Sequence, residues 1–331
     1  MIQIVEPGLA AAIQDRGRFG LKRFGVPAAG ALDSYLLACA NLLLDNPPES
    51  AGIELLAMGP TLLAADGPVG IALAGEVDAR KTAPDGSVSP APAWSATILA
   101  QGERLKIGAP RKGIAYLALS GGVRTVPMLG SRSTYRRAGL GGFLAAGDKL
   151  PCTGPGTLRQ GPPWRYEEGP IRVLAGPQED HFPKASLEAL GNSEFKVAPS
   201  SDRMGLRLSG PALAHTDKGA EIPTDGVAPG AIQVPGDGQP IVLLADGQTT
   251  GGYAKIATVI SADLPRLGQA RSGESLRFKL VTREEARKAL AKRQADLVAW
   301  RRKLTGAAGE IDQAALYRAN LISGVVAGLD E

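Results

Sequence analysis

Short apolar runs separated by turn-forming residues recur along most of the chain. Ile2–Val5, Val69–Ala74, Ile114–Leu119, Ile171–Leu174, Ala231–Val234, Ile241–Ala245, Ile256–Ile260 and Leu276–Val281 read as strands. Several are unbroken apolar stretches, the pattern of buried strands. Asn46-Pro47-Pro48, Asp85-Gly86 and Pro235-Gly236-Asp237-Gly238 supply the turns between them. Regular alternation of strands with helices is absent, which argues against a doubly wound parallel sheet and for a mainly β protein.

Helical spacing appears in four places. Asp33 is placed to cap a helix whose Leu36, Leu37, Ala40, Leu43 and Leu44 share a face and which ends near Asp45-Asn46. Pro183 to Leu190 reads as a second, short helix. Thr282-Arg283-Glu284-Glu285 is a capping box, followed by Leu290, Leu297, Trp300 and Leu304 in one apolar stripe. Ile311–Leu321 reads as a last helix. The aperiodic, Gly- and Pro-rich stretch from Cys152 to Pro170 marks a boundary. The chain thus divides into an N-terminal β domain (1–165), a C-terminal β domain (166–282) and a helical tail (283–331). Three pairs of strings hint at duplication: Asp15-Arg16-Gly17 with Asp202-Arg203-Met204-Gly205, Gly59-Pro60-Thr61-Leu62 with Gly210-Pro211-Ala212-Leu213, and Gly102-Glu103-Arg104-Leu105 with Gly273-Glu274-Ser275-Leu276.

Composition changes the picture little. The 331 residues include 43 Gly and 25 Pro, scattered between apolar runs as turns rather than clustered as disorder. The net charge of +4 comes from the tail, where eight basic residues face three acidic ones between Thr282 and Leu304. A solvated basic helix explains this better than a nucleic-acid surface, since interleaved aromatics and zinc-ligand spacing are missing. No membrane-spanning apolar run occurs, and Met1–Pro7 lacks the basic-then-apolar pattern of a secretory signal. Two lone thiols, Cys39 and Cys152, suit a reducing cytoplasm.

Several chemistries lack their residues. Gly142–Lys149 carries Asp148 where a phosphate-cradling loop needs Gly. Two histidines are too few for most zinc or iron sites, so no metal is expected. No nucleophile elbow occurs, and no Met-Lys-Met marks the chain as a carrier of covalent biotin. What remains is polar residues packed between glycines. The densest cluster, Asp246-Gly247-Gln248-Thr249-Thr250-Gly251-Gly252-Tyr253-Ala254-Lys255, joins two apolar strands. Its glycines let a ligand approach the backbone, and Asp246, Gln248, Thr249, Thr250, Tyr253 and Lys255 offer donors, acceptors and a cation. A hairpin whose Asp and Thr satisfy local backbone groups reads equally well. Arg132 and Arg203 could each grip a carboxylate; Arg203 could equally pair with Asp202 or Glu179. Ser131, Ser133 and Thr134 suit an anion or a capped turn.

Taken together, Gln14-Asp15-x-Gly17-Arg18-x-Gly20, Gly25-Val26-Pro27 with Ala40-Asn41-Leu42, Leu129-Gly130-Ser131-Arg132-Ser133-Thr134, Ser201-Asp202-Arg203-Met204-Gly205, Gln233-Val234-Pro235 and Gln248-Thr249-Thr250-Gly251-Gly252-Tyr253 are more specific. In this order they resemble one family, variously called allophanate hydrolase subunit 2, KipA-like, biotin-dependent carboxyltransferase-like, or the C-subunit of 5-oxoprolinase. The resemblance covers about residues 1–282. It departs from the usual pattern at Gly247, often Arg, and Ala254, often Pro.

The resemblance implies two cyclophilin-like β-barrel domains and three possible functions. One is the C-subunit of an ATP-dependent 5-oxoprolinase, which opens 5-oxo-L-proline to L-glutamate. Its partners would be two further subunits, one KipI-like and one LamB/YcsF-like. The second is transfer of a carboxyl group from carboxybiotin to urea or a related small amide. The third is non-catalytic binding to a KipI-type inhibitor of a kinase. A chain without biotin carboxylase or biotinyl segments favours the first. ATP would then act at the level of the complex, on this chain or on a partner. Asp246, Lys255 and Tyr253 are the candidate catalytic residues. Arg132, Ser131, Ser133, Thr134, Asp202, Arg203, Gln233, Gln248, Thr249 and Thr250 are the candidate substrate contacts. Arg132, Arg203 and Lys255 would stabilise developing anions, and Asp246 would position water or take a proton.

Overall fold

The computed structural model describes residues 1–307, so the helix expected at Ile311–Leu321 lies outside the described residues. The fold is mainly β, with an apolar core in each half, a further apolar cluster around the helix Ser34–Leu42, and a helical tail. In the first half two antiparallel sheets face each other across one core. One sheet runs in the order Lys149–Leu150, Ile2–Glu6, Thr61–Ala64, Arg104–Ile107, Ala79–Thr82, Val88–Pro90. The other runs Ala12–Gln14, Gly52–Leu55, Lys112–Leu119, Val69–Glu76, Thr97–Leu99. Ile2, Ile4, Leu62, Leu105 and Ile107 of the first sheet meet Ile53, Leu55, Ile71, Leu99 and Leu117 of the second.

The second half closes into a seven-stranded barrel: Ile171–Ala175, Lys255–Val259, Ala231–Gln233, Ile241–Leu243, Gly205–Ser209, Glu194–Val197 and Ser275–Leu280, the last pairing in parallel with the first. Val173, Phe195, Val242, Ile256 and Phe278 fill it. A two-stranded flap, Glu221–Gly226 against Thr250–Tyr253, stands outside the barrel. This corrects the reading of 246–255 as a plain loop: its second half is a strand, with Tyr253 opposite Glu221.

Within the strand Lys112–Leu119, Ile114–Leu119 reads as an unbroken apolar run because both of its faces are covered. Ala115, Leu117 and Leu119 point into the sheet-on-sheet core. Ile114, Tyr116 and Ala118 point the other way, under the helix Ser34–Leu42. That helix is capped by Asp33, whose Oδ1 accepts the Leu36 amide at 2.9 Å. Its residues from Leu36 to Leu42 are all buried. The tail helix, Arg283–Arg301, begins with the expected capping box of Thr282 and Glu285. Its Trp300 then enters the core around Ser34–Leu42, beside Trp94 and Trp164. Beyond it, Thr305–Gly306 pairs with Arg159–Gln160. The tail is therefore part of the first half's packing rather than a free appendage. Among the described residues, no helix is long and apolar enough to cross a membrane.

The duplication holds locally at two of three places. Asp15 Oδ1 accepts the Gly17 amide and Asp202 Oδ1 accepts the Met204 amide, the same side-chain turn. Gly102 and Gly273 both precede strands. Gly59-Pro60 leads into a strand whereas Gly210-Pro211 follows one, so that pair is not equivalent.

The halves are joined by polar groups as well. Asp33 is fully buried and accepts Tyr166 Oη at 2.6 Å and Gln269 Nε2 at 2.7 Å, the latter from the end of the short helix Leu264–Gly268 between two barrel strands. Burial raises its carboxyl to about 6 from 3.8, against the pull of Tyr166, the Leu36 amide and Gln269.

Two outcomes are expected. Trp300→Ala removes a buried ring at the point where the tail closes on the first half, and should cost about 3–5 kcal/mol in urea denaturation. Because Asp33 binds its proton more tightly in the folded state, its favourable contribution is complete below pH 3.8 and lost as pH rises through about 6. The window is worth roughly 3 kcal/mol at most. Melting curves from pH 3.5 to 7 should show this downward slope in the parent and a flatter one in Asp33→Asn.

Candidate functional site

The segment from Asp15 to Ala31 lies along the seam between the halves. Gly17 and Gly30 allow it to fold on itself. Gly17 has φ +96°, and a Cβ there would stand 2.7 Å from the Ala28 carbonyl oxygen. A Cβ on Gly30 would stand 2.9 Å from that of Arg16. From this turn the Ala29 amide reaches the Ala245 carbonyl at 3.0 Å, and Lys22 Nζ reaches the Val227 carbonyl at 3.1 Å. A segment of the first half thereby rests on the loop that follows the barrel strand Ile241–Leu243.

Arg203 is the centre of this seam. Its Nε and Nη2 bind the two oxygens of Asp246 at 2.9 Å each, a bidentate pair. Nη2 also donates to the Gly30 carbonyl at 2.7 Å, and Nη1 donates to Glu54 Oε1. Glu54 sits in the buried strand Gly52–Leu55. Its Oε2 accepts Tyr116 Oη at 2.6 Å and the Leu32 amide at 2.9 Å. Burial opposes the Arg203 charge, but Glu54 and Asp246 outweigh it and hold the guanidinium above its ordinary pKa. Burial raises the Asp246 carboxyl, with Arg203 pulling it back. Arg203 and Asp202 also line a cavity of ≈ 220 Å³ between the halves, with Leu32, Ile114 and Arg271 on its walls.

Next to the seam is a cradle built on Asp15. Asp15 Oδ1 accepts the hydroxyls of Ser131 and Ser133 at 2.6 and 2.5 Å, and Oδ2 accepts the Arg132 amide at 2.6 Å. Burial alone would raise this carboxyl; the hydrogen bonds from Ser131, Ser133, Arg132 and Gly17 more than offset that and lower it. Arg132 donates Nε to the Thr125 carbonyl, and Thr134 Oγ1 donates to the Gly142 carbonyl. These four residues thus shape a wall, with their side chains already engaged.

The remaining candidates lie beneath and on the flap. Gln233 is buried and its Oε1 accepts Gln248 Nε2 at 3.2 Å, while its own Nε2 has no protein partner. Lys255 is buried on the neighbouring strand, and its Nζ donates to Asp225 Oδ2 of the flap at 2.8 Å. Tyr253, Gln248 and Thr250 are exposed, and Thr249 is half-buried with its carbonyl accepting the Val227 amide. The structure therefore brings Arg203 together with Asp246, and Gln233 with Gln248 and Lys255. Ser131–Thr134 are not among them; they line a separate cavity of ≈ 320 Å³. Glu54 and Tyr116 were not singled out from the sequence. The one available signal was a lone acid, Glu54, inside the apolar string Ala51-Gly52-Ile53-Glu54-Leu55-Leu56. A buried charge so placed demands a partner.

The carboxyltransferase domain, subdomain A and B, matches residues 24–280. The 5-oxoprolinase C-subunit of Escherichia coli (strain K12) is 36% identical over 314 residues, covering 91% of this chain and 98% of that protein. Urea amidolyase of Lachancea kluyveri is 31% identical over 318 residues, covering 86% of this chain and 17% of that protein. Among solved structures, TTHA0988 aligns with a TM-score of 0.73 at 33% identity over 84% of this chain, which spans 56% of that one. The K. lactis urea amidolyase aligns with a TM-score of 0.79 at 27% identity over 90% of this chain, which spans 20% of that one. The match over residues 24–280, together with the paired sheets, barrel and polar motifs, means that the chain belongs to the carboxyltransferase domain family of subdomains A and B.

Proposed function

We propose that the chain is the C-subunit of an ATP-dependent 5-oxoprolinase, which hydrolyses 5-oxo-L-proline to L-glutamate in the cytoplasm together with two partners, one KipI-like and one LamB/YcsF-like. The observation that carries this reading is the match to the E. coli 5-oxoprolinase C-subunit across 98% of that protein. The seam suits the chemistry. Opening a lactam gathers negative charge on its carbonyl oxygen, and Lys255 and Arg203 are cations held in place by carboxylates. Asp246, fixed by two hydrogen bonds from Arg203, is the acid we assign to positioning water or a proton. Gln233, Gln248, Thr249, Thr250 and Tyr253 supply donors and acceptors for the amide edge.

ATP enters this reading through the complex. Gly142–Lys149 runs into the strand Lys149–Leu150 rather than a helix N-terminus, unlike a phosphate-cradling loop, and we assign ATP to the complex as a whole. A second reading, carboxyl transfer from carboxybiotin on another protein to urea or a related amide, draws on the family match and on the urea amidolyase relative.

The test is reconstitution. The chain with both partners should release glutamate from 5-oxo-L-proline in the presence of ATP, and the lone chain should release none. Turnover by the lone chain would overturn the dependence on partners. A complex inert toward 5-oxo-L-proline that carboxylates urea from carboxybiotin would replace the first reading with the second.

In the active complex, Asp246→Asn should lower kcat by roughly 10²-fold. Because the same change weakens the hold on Arg203, kcat is to be read well below the variant's own melting temperature. Undiminished kcat in the folded variant would remove Asp246 from the reaction. Lys255→Met should lower kcat similarly if its ammonium faces the developing anion. An unchanged kcat would confine Lys255 to holding the flap through Asp225.

A further inference from the structure

The turn Met128–Ser131 presents a leucine to solvent. The backbones of Met128 and Ser131 bond each other in both directions, at 2.8 and 3.2 Å, across Leu129 and Gly130. Leu129 has φ +52° and Gly130 φ +79°. Glycine adopts such a conformation freely, whereas leucine does so at a cost. Leu129 is 56% exposed, so burial among the described residues does not offset that cost. Strain held in this way points to a use for the side chain. Val126, 84% exposed, and Met128 and Phe143 are apolar and exposed too, and these three line the cavity of ≈ 320 Å³ beside Ser131–Thr134.

The surroundings of this patch are basic. From Arg124 to Phe143 the chain carries four arginines, Arg124, Arg132, Arg136 and Arg137, and no acid. The Arg136 guanidinium lies 4.2 Å from the ring centre of Phe143. Lys149 lines the cavity as well, and the one acid there, Asp148, accepts the Ala145 amide. The neighbouring segment is tied in by Arg18, which donates to the Ser133 carbonyl. On it Phe19 is exposed, with the Arg16 guanidinium 5.4 Å from its ring centre.

An apolar centre with an arginine-rich rim has the composition of a protein interface. A second copy of the chain is a poor occupant, because a two-fold pair would set this basic face against itself. Nucleic acid fits poorly, since Val126, Met128 and Leu129 are aliphatic and offer bases nothing to stack on. The depression between them suits a protruding side chain better than a flat lipid surface.

We propose that the face formed by Val126, Met128, Leu129 and Phe143, with the arginines around them, is the docking surface for one partner subunit. That subunit inserts an apolar side chain into the depression and surrounds it with acidic residues. The existence of such a subunit rests on the function proposed above. Arg136 and Arg137 steer the encounter and fix its register, and Leu129 packs against the partner.

The test is calorimetric titration of the full chain with each purified partner subunit, KipI-like and LamB/YcsF-like, at about 50 and about 300 mM NaCl. One subunit should bind the parent, more weakly at the higher salt. Arg136→Glu combined with Arg137→Glu should weaken that binding about tenfold or more and flatten its salt dependence. Leu129→Gly, which suits the turn and so guards against misfolding, should weaken it severalfold with the melting temperature retained. Binding of both folded variants as tight as the parent's would overturn the proposal, as would failure of both subunits to bind the parent. Sedimentation of the parent, but not of the variants, with vesicles of phosphatidylcholine and phosphatidylserine, while subunit binding is unchanged, would replace the occupant by an anionic membrane. Glutamate release from 5-oxo-L-proline with ATP is read on the same mixtures. A complex assembled through this face yet inert would sustain the face and count against the 5-oxoprolinase reading. An active complex whose assembly survives both substitutions would do the reverse.

Discussion

The arrangement depends on one guanidinium. Arg203 belongs to the second half, emerging just before the barrel strand Gly205–Ser209. It is held by Asp246 from its own half and by Glu54 and the Gly30 carbonyl from the other. Four of its five N–H groups are used, and Glu54 is held in turn by the Leu32 amide and by Tyr116. A planar fork can satisfy two carboxylates and a carbonyl at once, which an ammonium cannot do with the same directionality. The cost of taking these charges from water is offset only when every partner is in place. The seam is therefore specified as a unit: the two halves fit with Glu54 and Asp246 on opposite sides of the same side chain.

This explains how the cradle, the seam and the flap come to be neighbours although their residues are far apart in the chain. The segment Asp15–Ala31 is the common wall. Asp15 fixes it to Ser131 and Ser133, Gly30 to Arg203, and Lys22 to Val227 near the flap. The seam and the Ser131–Thr134 wall border separate cavities, and the segment Asp15–Ala31 ties them together. Their side chains divide between those that hold the walls and those left for a ligand.

The sequence made some of this legible and hid the rest for physical reasons. Apolar runs such as Ile114–Leu119 and Ile241–Leu243 announced strands because both of their faces are buried. The short edge strands, Val88–Pro90 for instance, are exposed throughout and leave no hydrophobic trace. Asp33 and Thr282 were readable as caps because capping is local, set within three residues. Arg203 was readable as a paired cation, yet Asp202 and Glu179 were the partners in view. The partners it found, Glu54 and Asp246, lie 149 and 43 positions away. Pairing across the seam is a property of how two cores dock, and a one-dimensional pattern does not carry it. Asp202 instead spends its carboxylate on the amides of Met204 and Gly205, where it shapes the turn that presents Arg203.

The return of the tail to the first half has a consequence for how the molecule is made. Trp94 and Trp164 emerge from the ribosome long before Trp300, and the short strand Arg159–Gln160 waits for Thr305–Gly306. Vectorial synthesis therefore leaves the first half unfinished, with aromatic surface uncovered, until the barrel behind it has been completed. The last turns of the tail helix cover that flank, and they are made only after every residue of the barrel.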